Sequence, residues 1–159
     1  EAMLEHARRR LQEKGLAEKC HFRLADLSGP VSLDSPAVVT MILTLQFIRP
    51  AQREFLIKHI YDQLLPGGCL ILVEKTIGAD SITNRLFIDL YHKFKQRNGY
   101  SELEIARKRE ALENVLIPYT REENRQLLRR NGFSIIDLFF SWYNFSGFLA
   151  VKQRNPGDA

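Results

Sequence analysis

The strongest constraint in this chain is a strand, a helix and a second strand joined by short connections between residues 37 and 75. Ala37–Leu45 is a β-branched apolar run bounded by Pro36 and Gln46, and reads as a buried strand. Pro50 suits a first helical turn, and Phe55, Leu56, Ile60 and Leu64 make the inner face of a helix that stops before Pro66-Gly67-Gly68. That turn delivers the next strand, Cys69–Lys75. Strands joined through a crossover helix lie parallel, so the fold class is α/β with a mostly parallel sheet.

Upstream, Met3, Leu4, Ala7 and Leu11 fall at helical spacing opposite Arg8, Arg9 and Arg10, with Gly15 as a natural stop. Cys20–Leu24 alternates apolar and polar residues, which predicts a further strand before a Ser/Gly/Pro/Asp loop. Downstream, residues 80–131 turn wholly helical. Ile82, Leu86, Leu90 and Phe94 form one stripe, Leu103–Leu116 a second and Thr120–Arg130 a third, more than a simple crossover requires. Phe133–Trp142 and Asn144–Lys152 predict an antiparallel closing pair around Tyr143. A single domain over residues 1–153 is expected, with a helical insertion at about 80–118 and a disordered tail at 154–159.

At 159 residues, 45% hydrophobic and 26% charged, the chain can bury one core, which excludes a disordered or disulfide-stapled class. The most apolar window, residues 37–45, falls well short of the roughly 20 residues that a membrane span needs. Cys20 and Cys69 have no metal-like spacing, each opens an apolar run, and the first residues are charged and helical; both features predict a reduced, cytoplasmic setting. His6, His21, His59 and His92 fall at no metal-ligand spacing, so no metal is expected. Nucleotide-binding sheets open with a strand leading into a glycine-rich turn, but here Gly67-Gly68 precedes a strand. Read alone, the chain opens in the middle of such a fold.

Ligands of open parallel sheets sit beyond the carboxyl ends of the strands, which singles out Asp26-Leu27, Thr44-Leu45-Gln46-Phe47 and Glu74-Lys75. Asp26 either accepts a hydrogen bond from an adenine amino group, with the Leu27 backbone meeting a ring nitrogen, or caps the loop that follows it. Gln46 either holds a ligand or satisfies backbone groups at a strand end, and Glu74 and Lys75 either serve a ligand or pair with neighbouring charges. Arg109 is the most informative residue. It shares a stripe with Ile105, Leu112 and Leu116, so its stem is expected on the core-facing side, where a cation needs an anion: an internal carboxylate such as Glu74 or Glu113, or a ligand carboxylate. The basic stretches 8–10, 93–97, 107–109 and 125–130 could attract RNA phosphates, but their acidic interleaving points to solvated helix surfaces.

Thr44-Leu45-Gln46-Phe47, Leu65-Pro66-Gly67-Gly68 and Glu74-Lys75, with Ile88-Asp89-Leu90, Lys93-Phe94-Lys95, Asn98 to Glu104, Lys108-Arg109 and Ala111 to Val115, resemble the carboxy-S-adenosylmethionine synthase family over nearly the whole chain. The resemblance implies a Rossmann-like class I methyltransferase fold and a reaction turning S-adenosylmethionine and prephenate into carboxy-S-adenosylmethionine and phenylpyruvate. The product serves the 5-oxyacetic acid modification of wobble uridine in tRNA. It further implies a homodimer, leaves direct tRNA contact open, and makes S-adenosylmethionine or its carboxylated form the cofactor. Asp26 and Leu27 would then meet adenine and Arg109 the added carboxylate, while Ile42 stands where the family has a ligand-contacting asparagine. The family's early strands, glycine-rich loop and ribose-binding acid have no counterpart in these residues, so a fragment or truncated homologue is expected. An ordinary S-adenosylmethionine methyltransferase, or a non-catalytic dimerisation or RNA-contacting module, are the alternatives.

Overall fold

The structure is a computed structural model that describes residues 2–154. The chain divides into two compact units, Glu1–Val31 and Ser32–Ala159, and each is described by itself. The expected tail at 154–159 lies, apart from Arg154, outside the described residues.

In the first unit, helix α1 (Ala2–Glu13) is closed by backbone bonds from Gly15 to Gln12 and from Leu16 to Leu11, with Gly15 at φ 65°. Arg8 lies 5.3 Å from the centre of the Phe22 ring, which ties the following extended segment to the helix. The predicted strand Cys20–Leu24 does not form. Its alternation is real, but extended backbone becomes a strand only by pairing, and the described residues offer it no ladder partner.

The second unit is built on a five-stranded sheet. Strand β1 (Val38–Ile42) runs parallel to β2 (Cys69–Ile77), with Val38 opposite Cys69 and Ile42 opposite Val73. Helix α2 (Pro50–Gln63) crosses between them. Strand β3 (Tyr119–Thr120) adds a short parallel pairing at the end of β2. Strands β4 (Ile135–Trp142) and β5 (Phe145–Val151) form the antiparallel pair, and β5 also runs antiparallel to β2, giving the order β1-β2-β5-β4. The turn before β2 demands glycine, because a Cβ at Gly68 would meet the carbonyl oxygens of Ala37 at 2.7 Å and Leu65 at 2.9 Å.

One face of β2 supplies the centre of the core: Leu70 and Leu72 are buried with Phe148 and Ala150 of β5, together with Leu56, Ile57 and Ile60 of α2 and Leu127 and Leu128 of α5 (Arg121–Arg130). Glu74 and Thr76 continue the same face toward its polar end. The predicted strand Ala37–Leu45 stops at Ile42 because Leu43 adopts φ 53°, which breaks the ladder.

Between β2 and β3 lie helices α3 (Ser81–Arg97) and α4 (Glu102–Leu112). Asp80 caps α3 by accepting from the N–H groups of Ile82 and Thr83, and Ser101 with Glu104 makes a capping box that starts α4. The expected second stripe ran to Leu116, but α4 ends at Leu112 because Asn114 turns left-handed at φ 61°, a conformation asparagine tolerates.

Candidate active site

The carboxyl ends of β1 and β2 are organised by two buried charges. Glu74, 2% exposed, accepts hydrogen bonds from the backbone N–H groups of Thr44 (3.0 Å), Leu45 (2.9 Å) and Gln46 (2.9 Å). These open the single 3₁₀ turn Leu45–Phe47, so the carboxylate satisfies donors that a helix start leaves free. Burial raises the Glu74 carboxyl above its ordinary range, opposed by those three N–H donors and by Arg53. Arg53, 1% exposed, donates to the carbonyls of Ile48 (2.8 Å), Ile117 (2.6 Å) and Gln46 (3.4 Å), and stands 4.2 Å from the centre of the Tyr119 ring. The Gln46 side-chain oxygen accepts from the Lys75 N–H at 3.0 Å, so of its two expected roles Gln46 here fills the backbone one.

Beside this scaffold is a cavity of about 830 Å³, walled by β2, α3, α4 and the segment after β1. Its charged lining is strongly one-sided. Lys75, His92, Lys95, Lys108 and Arg109 face it, against Glu113 as the one acid among the described residues that line it. Burial lowers the Lys75 and Lys95 ammonium groups below their usual values, and Lys75 and Lys108 push Lys95 further in that direction. His92 is likewise lowered, first by burial and then by Lys95, Lys75 and Arg109, with Asp89 opposing. Such mutual repulsion is relieved by an anion. Phe47, Tyr91 and Phe145 provide aromatic surface in the same wall, and Lys95 sits 4.8 Å over the Tyr91 ring. Asn144, in the turn between β4 and β5, also lines the cavity; it is 3% exposed and its Oδ1 has no hydrogen-bond partner among the described residues.

Arg109 is placed at this cavity, but it is not buried. Ile105 is the buried residue of α4 and Leu112 is half-buried, while Arg109 is exposed and makes no hydrogen bond or ion pair among the described residues. The stripe was read on the right face, but that face covers an open cavity instead of a closed core. Neither Glu74 nor Glu113 is its partner.

Ile42 ends β1, is 61% exposed, and is not among the cavity residues; its carbonyl accepts from the Thr44 hydroxyl at 3.1 Å. Asp26 belongs to the first unit. Its Oδ1 accepts from the Ser28 hydroxyl and from the Ser28 N–H at 2.9 Å, and these bonds, the hydroxyl first, hold its carboxyl below the ordinary value. Leu27 beside it is half-buried. The structure therefore brings Arg109, Lys75 and Gln46 to one cavity, leaves Ile42 outside its lining, and keeps Asp26 and Leu27 in the separately described unit. Lys95, Lys108, His92 and Asn144 were missed as site residues. The available signal was two basic clusters on successive helical stripes about the Asn98-Gly99 turn, which lets the helices fold back on one another.

No family model matches the chain. It is 49% identical over 150 residues to the carboxy-S-adenosyl-L-methionine synthase of Methylococcus capsulatus, covering 94% of this chain and 62% of that one. The protein of the same name from Desulfotalea psychrophila is 48% identical over 152 residues, covering 96% and 62%. The chain thus spans less than two thirds of the length of these curated relatives. Among solved structures, an O-methyltransferase family protein from Burkholderia thailandensis superposes with a TM-score of 0.69 at 15% identity, over 95% of this chain and 41% of that one. The fold is that of the class I S-adenosylmethionine-dependent methyltransferases.

Proposed function

We propose that this chain, similar over nearly its whole length to carboxy-S-adenosyl-L-methionine synthases, carries the substrate-binding wall of such an enzyme. The reaction converts S-adenosylmethionine and prephenate into carboxy-S-adenosylmethionine, phenylpyruvate and water, for 5-oxyacetyl modification of wobble uridine in tRNA. The carrying observation is the cavity with five basic groups and one acid. A methyl-transfer pocket needs no such excess of positive charge, whereas prephenate and the carboxylated product each present carboxylates to it.

The residues present fit the cofactor's two charges separately. Arg109 suits the carboxylate, because a planar guanidinium can bond both oxygens at once. The rings of Phe47, Tyr91 and Phe145 suit a sulfonium. When bound, S-adenosylmethionine supplies the sulfonium-activated methyl carbon that receives the carboxyl group. The family resemblance assigns Asp26 and Leu27, within the first unit, to adenine, and Ile42, within the second, to a cofactor contact. We further assign the enzyme to the cytoplasm as a homodimer, for which the exposed Phe139 and Phe140 of β4 supply apolar surface. Among the described residues no helix is long and apolar enough to cross a membrane.

The test is to express the protein from its complete open reading frame, supply S-adenosylmethionine and prephenate, and weigh the products. A carboxylated cofactor with equimolar phenylpyruvate is expected. S-adenosylhomocysteine with a methylated acceptor would instead select the ordinary methyltransferase, the reading that Ile42, apolar where the family has asparagine, favours.

A further inference from the structure

A second cavity, of about 520 Å³, is lined by the end of β2, the start of α3, the first turns of α5 and the β4–β5 turn, and it shares only Asn144 with the basic cavity. The fold leaves three polar groups unspent there. Arg121 opens α5, where the helix dipole disfavours a cation, and two neutral hydroxyls hold its guanidinium: Nε donates to Ser146 at 3.0 Å and Nη2 to Ser141 at 2.8 Å. It makes no ion pair among the described residues, so it is fixed in place and still lacks an anion. Arg125, one turn along α5, is half-buried and makes no hydrogen bond or ion pair among the described residues. Asn144 is 3% exposed, and its Oδ1 is a buried acceptor with no donor among the described residues. Short contacts join these groups. The Asn144 carbonyl accepts from the Thr76 N–H at 2.7 Å, and the Thr76 and Ser146 hydroxyls lie 3.0 Å apart, with Arg121 beyond. Those two hydroxyls share one hydrogen, which leaves the other free to donate. Glu122 is the one acid among the described lining residues, and Phe87 and Tyr143 give the same wall aromatic surface.

We propose that this second cavity binds a small apolar α-amino acid. Its donors and acceptors match a zwitterion: two guanidiniums for the carboxylate, and a neutral acceptor with a carboxylate for the ammonium. Arg121 and Arg125 take the carboxylate, helped by the free hydroxyl hydrogen of the Thr76–Ser146 pair. The ammonium donates to the Asn144 Oδ1 and faces Glu122, and the apolar side chain lies against Phe87 and Tyr143. A simple anion would satisfy the arginines and leave the Asn144 acceptor unpaired, so that oxygen selects the amino acid over its deaminated analogue. The site is separate from the one assigned to the proposed reaction and does not depend on it.

The experiment is a calorimetric titration of the full-length protein with L-phenylalanine, with 3-phenylpropanoate, which lacks the ammonium, and with 2-phenylethylamine, which lacks the carboxylate. Wild type should bind phenylalanine about tenfold or more tightly than either analogue. Arg125→Gln should weaken phenylalanine by about tenfold and leave phenylethylamine unchanged. Asn144→Leu should cut the preference for phenylalanine over phenylpropanoate several-fold while its melting temperature holds or rises. Arg109→Ala, in the basic cavity, should leave phenylalanine binding unchanged. Should Asn144→Leu fail to fold, the three probes on the wild type and on Arg125→Gln still decide. No phenylalanine binding up to about 10 mM, equal affinity for phenylalanine and phenylpropanoate in the wild type, or binding lost in Arg109→Ala but kept in Arg125→Gln would overturn the proposal.

Discussion

Glu74 and Arg53 grip opposite ends of one turn without touching each other. The carboxylate takes the N–H groups of Thr44, Leu45 and Gln46, while the guanidinium takes the carbonyls of Gln46 and Ile48. The turn carries Gln46 and Phe47 to the edge of the cavity, so its geometry sets that edge.

Arg53→Met should be among the most damaging single changes. It strips the donor from the carbonyls of Ile48 and Ile117 and removes the cation from the Tyr119 ring. A loss of about 3–5 kcal/mol is expected, the range for breaking a buried charge network. Denaturant unfolding measures it. A loss below about 1 kcal/mol would mean that the segment around Ile117 is held by something else.

Glu74 should make stability depend on pH with an unusual sign. Burial raises its folded-state value above the unfolded one, so the folded protein holds the proton more tightly. Its contribution is therefore fully present below the unfolded value and is lost as pH rises through the folded value. Melting temperature should fall across that window in the wild type relative to Glu74→Gln, which has no proton to lose. Parallel profiles for the two proteins would refute the assignment.

Arg109→Ala should leave folding nearly intact, within about 0.5 kcal/mol, because the side chain is exposed and unpaired among the described residues. Binding of carboxy-S-adenosylmethionine should weaken by about tenfold or more, and binding of S-adenosylmethionine much less. Equal effects on the two ligands would remove Arg109 from carboxylate recognition.

His92 should titrate below a free histidine, since burial and the surrounding Lys95, Lys75 and Arg109 all disfavour its charged form. Its stability contribution is present above the unfolded value and is lost as pH falls through the folded one. A dicarboxylate in the cavity should raise the titration midpoint by offsetting those cations. Proton NMR of the imidazole reads both; a midpoint that prephenate leaves unmoved would place the anion elsewhere.

Much of the fold was legible because its signals are local. The β-branched run before Gln46, the helix opened by Pro50 and the Pro66-Gly67-Gly68 turn each act within a few residues, and together they dictate β1, α2 and β2. Cys20–Leu24 was misread because alternation describes a backbone that can pair, and pairing depends on a partner. Strand β3, two residues long, leaves too short a pattern to detect. Arg109 was found by helix periodicity, which gives a face but no depth. Lys95 and Lys108 escaped because the meeting of their helices is a tertiary fact, and Asn144 because an unpaired amide is defined by what surrounds it.

Among the described residues, strand β1 stands at the end of the sheet order, with Val38 and Ile42 exposed. Such a ribbon offers its outward main-chain groups to any extended peptide of matching length. Concentrated preparations of these 159 residues should therefore drift toward fibrous or amorphous association by edge-to-edge strand addition, and a lysine in place of Val38 should delay it.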